Sequence, residues 1–291
     1  MKRSAFTLVE LLVVIAVIAI LIAILIPSVN AAREYARRNL CLTQQRSLAI
    51  AVVTYAKEYD GLPGYLNQLG TTPVHSWVVS IFPMIGENKR YDIMKNNSPT
   101  DGELDQATAP LSSLLCPSDR PAGNARLNYV ANCGPVASGI INGDNALPLT
   151  LFKDRRRTPI DLTSINKKFR IEDIPDGTSN TILLSENVDA GVWYLGDWTA
   201  FSPNELPTST NIYTRSSEAV ANIGFVWANQ AAYAPNSSTS GARPSSRHPA
   251  TIIAAFADGS ARVLNDNIAL TEWLKAVCPD DEKARGLGLG L

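Results

Sequence analysis

The side chains able to do chemistry are few. There are two histidines, His75 and His248, and four cysteines, Cys41, Cys116, Cys133 and Cys278. His248 is followed after nine residues by Asp258-Gly259, and Glu186 closes the stretch Asn180-Thr-Ile-Leu-Leu-Ser-Glu. Histidine and carboxylates together invite a metal or acid–base reading. The spacings do not support it: there is no HExxH and no CxxC, and His75 is the only second histidine. Ser185-Glu186 lacks the glycines of a nucleophile elbow, and neither a phosphate-binding loop nor a catalytic triad can be traced. The sequence therefore points away from an enzyme, with no catalytic residue, metal or cofactor expected. The expectation for His248 and Asp258 is structural. Thr251–Phe256 is β-prone, Asp258-Gly259 is a tight-turn dipeptide and Ala261–Leu264 returns, which reads as a β-hairpin. A hydrogen bond between His248 and Asp258 is expected to fix it.

The cysteines suggest bridges. Cys116 and Cys133 flank a compact Pro/Gly-rich loop and are the favoured pair, worth about 3 kcal/mol on chain-entropy grounds. Cys41 and Cys278 would make a second bridge between an N-terminal and a C-terminal helix. Four cysteines allow three pairings, and sequence alone does not choose among these and buried thiols.

A different kind of chemistry sits at the N-terminus. Leu11–Ile26 is a run of sixteen apolar residues, and back to Phe6 only Thr7 and Glu10 interrupt it. As a helix, residues 6–26 would span about 31 Å, the thickness of a bilayer's hydrocarbon core. A carboxylate there costs about 2.5–3.5 kcal/mol at mid-bilayer, less near an interface. Glu10 must either snorkel to the surface or meet a positive partner from another chain. Lys2 and Arg3 favour a cytoplasmic N-terminus, with the remainder outside. A cleaved secretory signal ending near Val29-Asn30-Ala31 would leave Glu10 unexplained.

A short polar leader, then Phe6-Thr-Leu-Val-Glu10, then an apolar helix resembles the N-terminus of type IV prepilins and type II secretion pseudopilins. The resemblance implies cleavage between Ala5 and Phe6, with Ala5 where the family usually has Gly, and methylation of the new amino terminus. It implies that Glu10 pairs with a neighbouring subunit's N-terminal amine and that Pro27 kinks the helix where the apolar run ends. It also implies the partners: a prepilin peptidase with methyltransferase activity, an assembly platform and ATPase, other pilin or pseudopilin subunits, and membrane lipid. Some pseudopilins bind calcium in a C-terminal loop, but no EF-hand-like spacing is present here. Farther on, Arg33-Glu-Tyr-Ala-Arg-Arg38 with Cys41, Asp176-Gly-Thr-Ser-Asn-Thr181 and the H-x9-D-G pattern from His248 resemble a family of prepilin-like proteins abundant in planctomycete-type bacteria. That family is known by a DUF1559-like domain of unknown function.

The elements that must position these groups follow from pattern. After Pro27 an amphipathic helix places Val29, Ala32, Ala36, Leu40, Leu48, Val52, Tyr55 and Tyr59 on one side. Asp60-Gly61 and Pro63 stop it, with Gly61 expected in the left-handed position. Arg33, Arg37 and Arg38 would face lipid head groups, a neighbour or simply solvent. Ser76–Ile85 reads as a helix with Ser76 as N-cap, 86–110 as polar loop, Leu127–Gly134 as a strand and 202–246 as a long surface loop. Leu270, Trp273, Leu274 and Val277 form a short C-terminal helix. The domains expected are a leader 1–5, a long helix 6–60 whose half 6–26 spans the membrane, an α+β head 61–278 with an antiparallel sheet, and a flexible tail 279–291. A net charge of −1 argues against a general nucleic-acid surface, and two basic clusters, Lys153–Arg157 and Lys167–Arg170, are read as solvated loop. The function expected is a structural pilin-like subunit in a pilus or pseudopilus. The alternative is a membrane-anchored extracytoplasmic binding module that does not polymerise.

Overall fold

The computed structural model describes residues 8–67, 75–96, 98–135, 149, 151–152, 154–155, 169–194, 224–227, 234–236 and 243–286. Ala5, Phe6, most of both basic clusters and nearly all of 202–242 lie outside the described residues.

One helix, Leu8–Glu58, runs for 51 residues and passes through Pro27. At 1.5 Å per residue it is about 76 Å long. Its two halves meet different surroundings. The fifteen Leu, Val and Ile side chains between Leu8 and Ile26 are each 47–78% exposed. From Cys41 on, one stripe is buried: Cys41, Gln45, Leu48, Ala49, Val52, Tyr55 and Ala56. The stripe is rotated from the one expected, leaving Val29, Leu40 and Tyr59 exposed. Gln45 explains the shift. It is polar, yet it is fully buried because its Nε2 donates to the Ile253 carbonyl at 3.0 Å. The helix ends as the Asp-Gly pair dictates, with Asp60 (φ 54°) and Gly61 (φ 137°) both at positive φ.

The head is α+β. Its main sheet has strands β3 (Tyr129–Pro135), β5 (Ile182–Glu186), β6 (Gly224–Trp227), β7 (Thr251–Phe256) and β8 (Ala261–Asn265), in the order β6-β3-β5-β7-β8. Pairing is antiparallel from β3 to β8, while the edge pair β3–β6 is parallel. A small second sheet joins β2 (His75–Ser76), β1 (Leu66–Asn67) and β4 (Asp154–Arg155). β5 is buried along its length, as is β7 after Thr251, which explains their continuous apolar runs. The long helix packs on β7, β8 and β5. The β7–β8 hairpin stands as expected. Gly259 has φ 82°, and a Cβ there would meet Ile50 Cγ1 at 3.3 Å, so the turn lies against the long helix.

Four expectations need correction. Within 202–246, read as surface loop, Gly224–Trp227 is strand β6 of the main sheet, and Phe225 is buried. Residues 86–110 are not simply loop: helices Asn88–Lys95 and Asp101–Thr108 form there, the second started by a Thr100/Glu103 capping box. The helix from Trp77 stops at Ser80, Phe82–Ile85 follows as a 3-10 turn, and Ser76 makes no side-chain cap. Beyond Pro279 the chain does not fray at once. Asp281–Gly286 is helical, Ala284 is buried, and the Asp281 N–H donates to Asp176 Oδ2 at 2.7 Å.

Candidate functional site

Five side chains from distant parts of the chain converge where the long helix enters the head. Glu34 and Cys41 lie two turns apart on the helix. Cys116 follows the 3-10 turn Ser112–Leu114, Glu186 ends β5, and His248 sits in the turn before β7. The segment 112–118 is laid along the helix by its own hydrogen bonds: Gln44 Nε2 donates to the Ser112 carbonyl at 2.7 Å, and Ser118 Oγ donates to Glu34 at 3.2 Å.

That path decides the disulfide. Cys41 and Cys116 are bonded, with Cα atoms 5.3 Å apart across 75 residues of sequence. The expected pairs Cys116–Cys133 and Cys41–Cys278 are not formed. Cys116 is carried onto the helix face, whereas Cys133 lies within β3 beside β6, and Cys278 closes the helix Leu270–Val277.

The imidazole of His248 is wholly buried. Its Nδ1 lies 2.6 Å from Glu34 Oε1, and its Nε2 lies 3.4 Å from Cys116 Sγ and 3.5 Å from Glu186 Oε1. Burial works against a charge on the ring, but the carboxylates of Glu186 and Glu34 outweigh it and raise the pKa above the ordinary value. Burial likewise acts to raise Glu34. Hydrogen bonds from His248, Arg37 and Ser118 overcome it, and the carboxyl stays below its usual value. Glu186 is almost completely buried, and its Oε2 accepts the Ile253 N–H at 3.1 Å. Its Oε1 has no hydrogen-bond partner. The donor atoms of Cys41, Cys116, Glu186 and His248 lie within 4.8 Å of one another, so among the described residues these four could hold a metal ion.

The expected His248–Asp258 bond is absent. β7 separates them by a six-residue strand, about 20 Å, which puts them at opposite ends of the hairpin. Asp258 instead shapes its own turn: Oδ1 accepts the Ser260 N–H at 2.8 Å, and its N–H donates to Thr178 at 3.1 Å. Sequence reasoning named His248, Glu186 and the cysteines but not Glu34, whose only signal was its place beside the arginines after Pro27. At the other end of the helix, Glu10 stands in the exposed apolar half. The cleavage site expected between Ala5 and Phe6 lies outside the described residues.

Residues 1–26 match the prokaryotic N-terminal methylation motif. With the long apolar helix this motif makes the chain a pilin-like protein, and it fits a membrane-anchored, extracytoplasmic one. Residues 30–271 match the family described as protein of unknown function (DUF1559), and the chain belongs to that family. No curated protein and no solved structure matches it.

Proposed function

We propose that this chain is a structural pilin-like subunit, cleaved between Ala5 and Phe6 by a prepilin peptidase and assembled through its N-terminal helix into a pilus or secretion pseudopilus. Before assembly the helix lodges in the inner membrane with its N-terminus cytoplasmic and its head outside. The observation that carries the reading is the exposed apolar half of the long helix, Leu8–Ile26, which bears Glu10 near its start. Moving fifteen such side chains out of water is worth on the order of 20–40 kcal/mol. A bilayer supplies that environment, and so does a bundle of identical helices. In the bundle Glu10 neutralises the amine of Phe6 on a neighbour and sets the longitudinal register. The assembly ATPase and platform are the further partners this requires.

The test has two parts. The mature protein from native membranes should begin at N-methylated Phe6 by mass spectrometry; a chain beginning at Met1 refutes processing. Glu10→Ala should still reach the membrane but fail to enter filaments or a pseudopilus. If Glu10→Ala is incorporated as well as the native chain, the role of Glu10 is wrong. A processed chain found only as single copies marks it instead as an anchored binding module.

A further inference from the structure

We propose that Cys41 Sγ, Cys116 Sγ, His248 Nε2 and Glu186 Oε1 form a four-coordinate site for one zinc-class divalent cation when the two cysteines are not joined. The site concerns the head and its junction with the helix, and it stands whether or not the helix assembles.

The geometry has four parts. All four residues are at most 3% exposed, so the site is closed. Two donors about 2.0–2.3 Å from a tetrahedral zinc lie about 3.3–3.8 Å apart. His248 Nε2 is 3.4 Å from Cys116 Sγ and 3.5 Å from Glu186 Oε1, the separations expected of ligands on one ion. Next, the ring is set for ligation. An ionised carboxylate can only accept, so Nδ1–H donates to Glu34 at 2.6 Å, and Nε2, once it carries no proton of its own, is the nitrogen whose lone pair faces the site. A carboxylate behind a ligating histidine is the usual outer support of such centres. Last, Glu186 divides its oxygens: Oε2 is held by the Ile253 N–H, while Oε1 points into the cluster without a hydrogen-bond partner. A buried carboxylate oxygen facing a nitrogen lone pair calls for a proton or a cation between them.

The donor set selects the ion. Two thiolates and an imidazole suit zinc and disfavour calcium or magnesium, which take oxygen ligands. Binding converts two thiols to thiolates and releases two protons. The disulfide excludes the ion, because its sulfurs are no longer thiolates. An oxidant carrying its own disulfide would complete the exchange: the two thiolates form the Cys41–Cys116 bond, the oxidant takes up two electrons and two protons as a dithiol, and the cation leaves.

The test uses the full chain in detergent, freed of metal by a chelator. Half is kept oxidised and half is reduced with a phosphine under anaerobic conditions. Each is titrated with Co²⁺ as a spectroscopic stand-in for zinc. The reduced chain should take up one ion with thiolate-to-cobalt charge transfer and the visible bands of tetrahedral cobalt, and Zn²⁺ should displace it. The oxidised chain should show neither. Cys133→Ser/Cys278→Ser should keep the bands, which assigns the thiolates to Cys41 and Cys116. Glu34→Gln should weaken binding about 10–100-fold while leaving the bands in place. Glu186→Gln should weaken it and shift them. A reduced chain that takes up no tetrahedral cobalt overturns the proposal. So do bands that survive in Cys41→Ser/Cys116→Ser, or equal binding by the oxidised chain.

Discussion

Breaking the Cys41–Cys116 bridge is the perturbation whose size the structure fixes best. The bond closes a loop of 75 residues. The chain-entropy relation then gives about 15 cal/mol/K, or about 4.5 kcal/mol at 25 °C. Against the 5–15 kcal/mol typical of a folded domain, that is roughly a third or more of the total. Urea unfolding in detergent, with metal removed, reads the loss. Trp77, Trp193 and Trp273 are fully buried in the head, so their fluorescence reports the head rather than the exposed helix. With a slope of about 2 kcal/mol/M, the midpoint should fall by about 2 M in Cys41→Ser/Cys116→Ser. The double variant is needed, since Cys41→Ser alone leaves the Cys116 thiol available for another bridge. Peptide mapping of the native chain should recover a Cys41–Cys116 crosslink. An unchanged midpoint, or a Cys116–Cys133 peptide, refutes the argument that the path of 112–118 along the helix dictates the pairing.

Other outcomes follow from single features. Gly259→Ala places a Cβ at φ 82° and 3.3 Å from Ile50 Cγ1; it should cost about 1–2 kcal/mol by the same unfolding assay. Thr100→Ala removes a capping box and should cost about 1 kcal/mol. Burial pushes the Cys278 thiol up to about 12, so at pH 8 it should alkylate far more slowly in the native chain than in urea. The unfolded thiol loses its proton near pH 9 and the folded one does not, so its contribution to stability is intact below pH 9 and is lost as pH rises toward 12.

What was legible in the sequence depended on whether the signal was local. The apolar run to Ile26, the Asp60-Gly61 stop, the Asp258-Gly259 hairpin and the Leu270–Val277 helix are each specified by neighbours in sequence, and each stands in the fold. The capping box at Thr100 was equally local but sat among polar residues that read as loop. The site was only half visible. Its residue types stood out, yet its pairings join positions 62 to 214 residues apart, and no spacing rule reaches that far. His248 was assigned to Asp258 because the two are close along the chain; the intervening strand is what keeps them apart. Gln45 gives no sequence signal for a related reason: a buried amide bonded to a strand carbonyl cannot be told from a solvated one until the strand is placed.

The placement of the cluster bears on how the two halves of the helix act together. Seven residues lie between Ile26 and Glu34, none with a buried side chain, and the rise from one end to the other is about 12 Å. Glu34 is then held by His248 and Ser118, Cys41 by Cys116, and Gln45 by Ile253, so the helix is fixed to the head at three successive points within about 17 Å. Hydrophobic packing of the later stripe resists separation but is non-directional. The ion pair, the covalent bond and the buried amide are directional, and together they set the rotation and height of the helix against β7. In the proposed assembly, where the exposed half would register with copies of itself, the head is needed at one fixed rotation. Reduction of Cys41–Cys116 should therefore loosen the junction before the core: hydrogen exchange should rise first in Arg33–Gln45 and 112–118, with β5 and β7 still protected. Uniform loss of protection across the head would mean that the bridge stabilises the domain as a whole and does not set the junction.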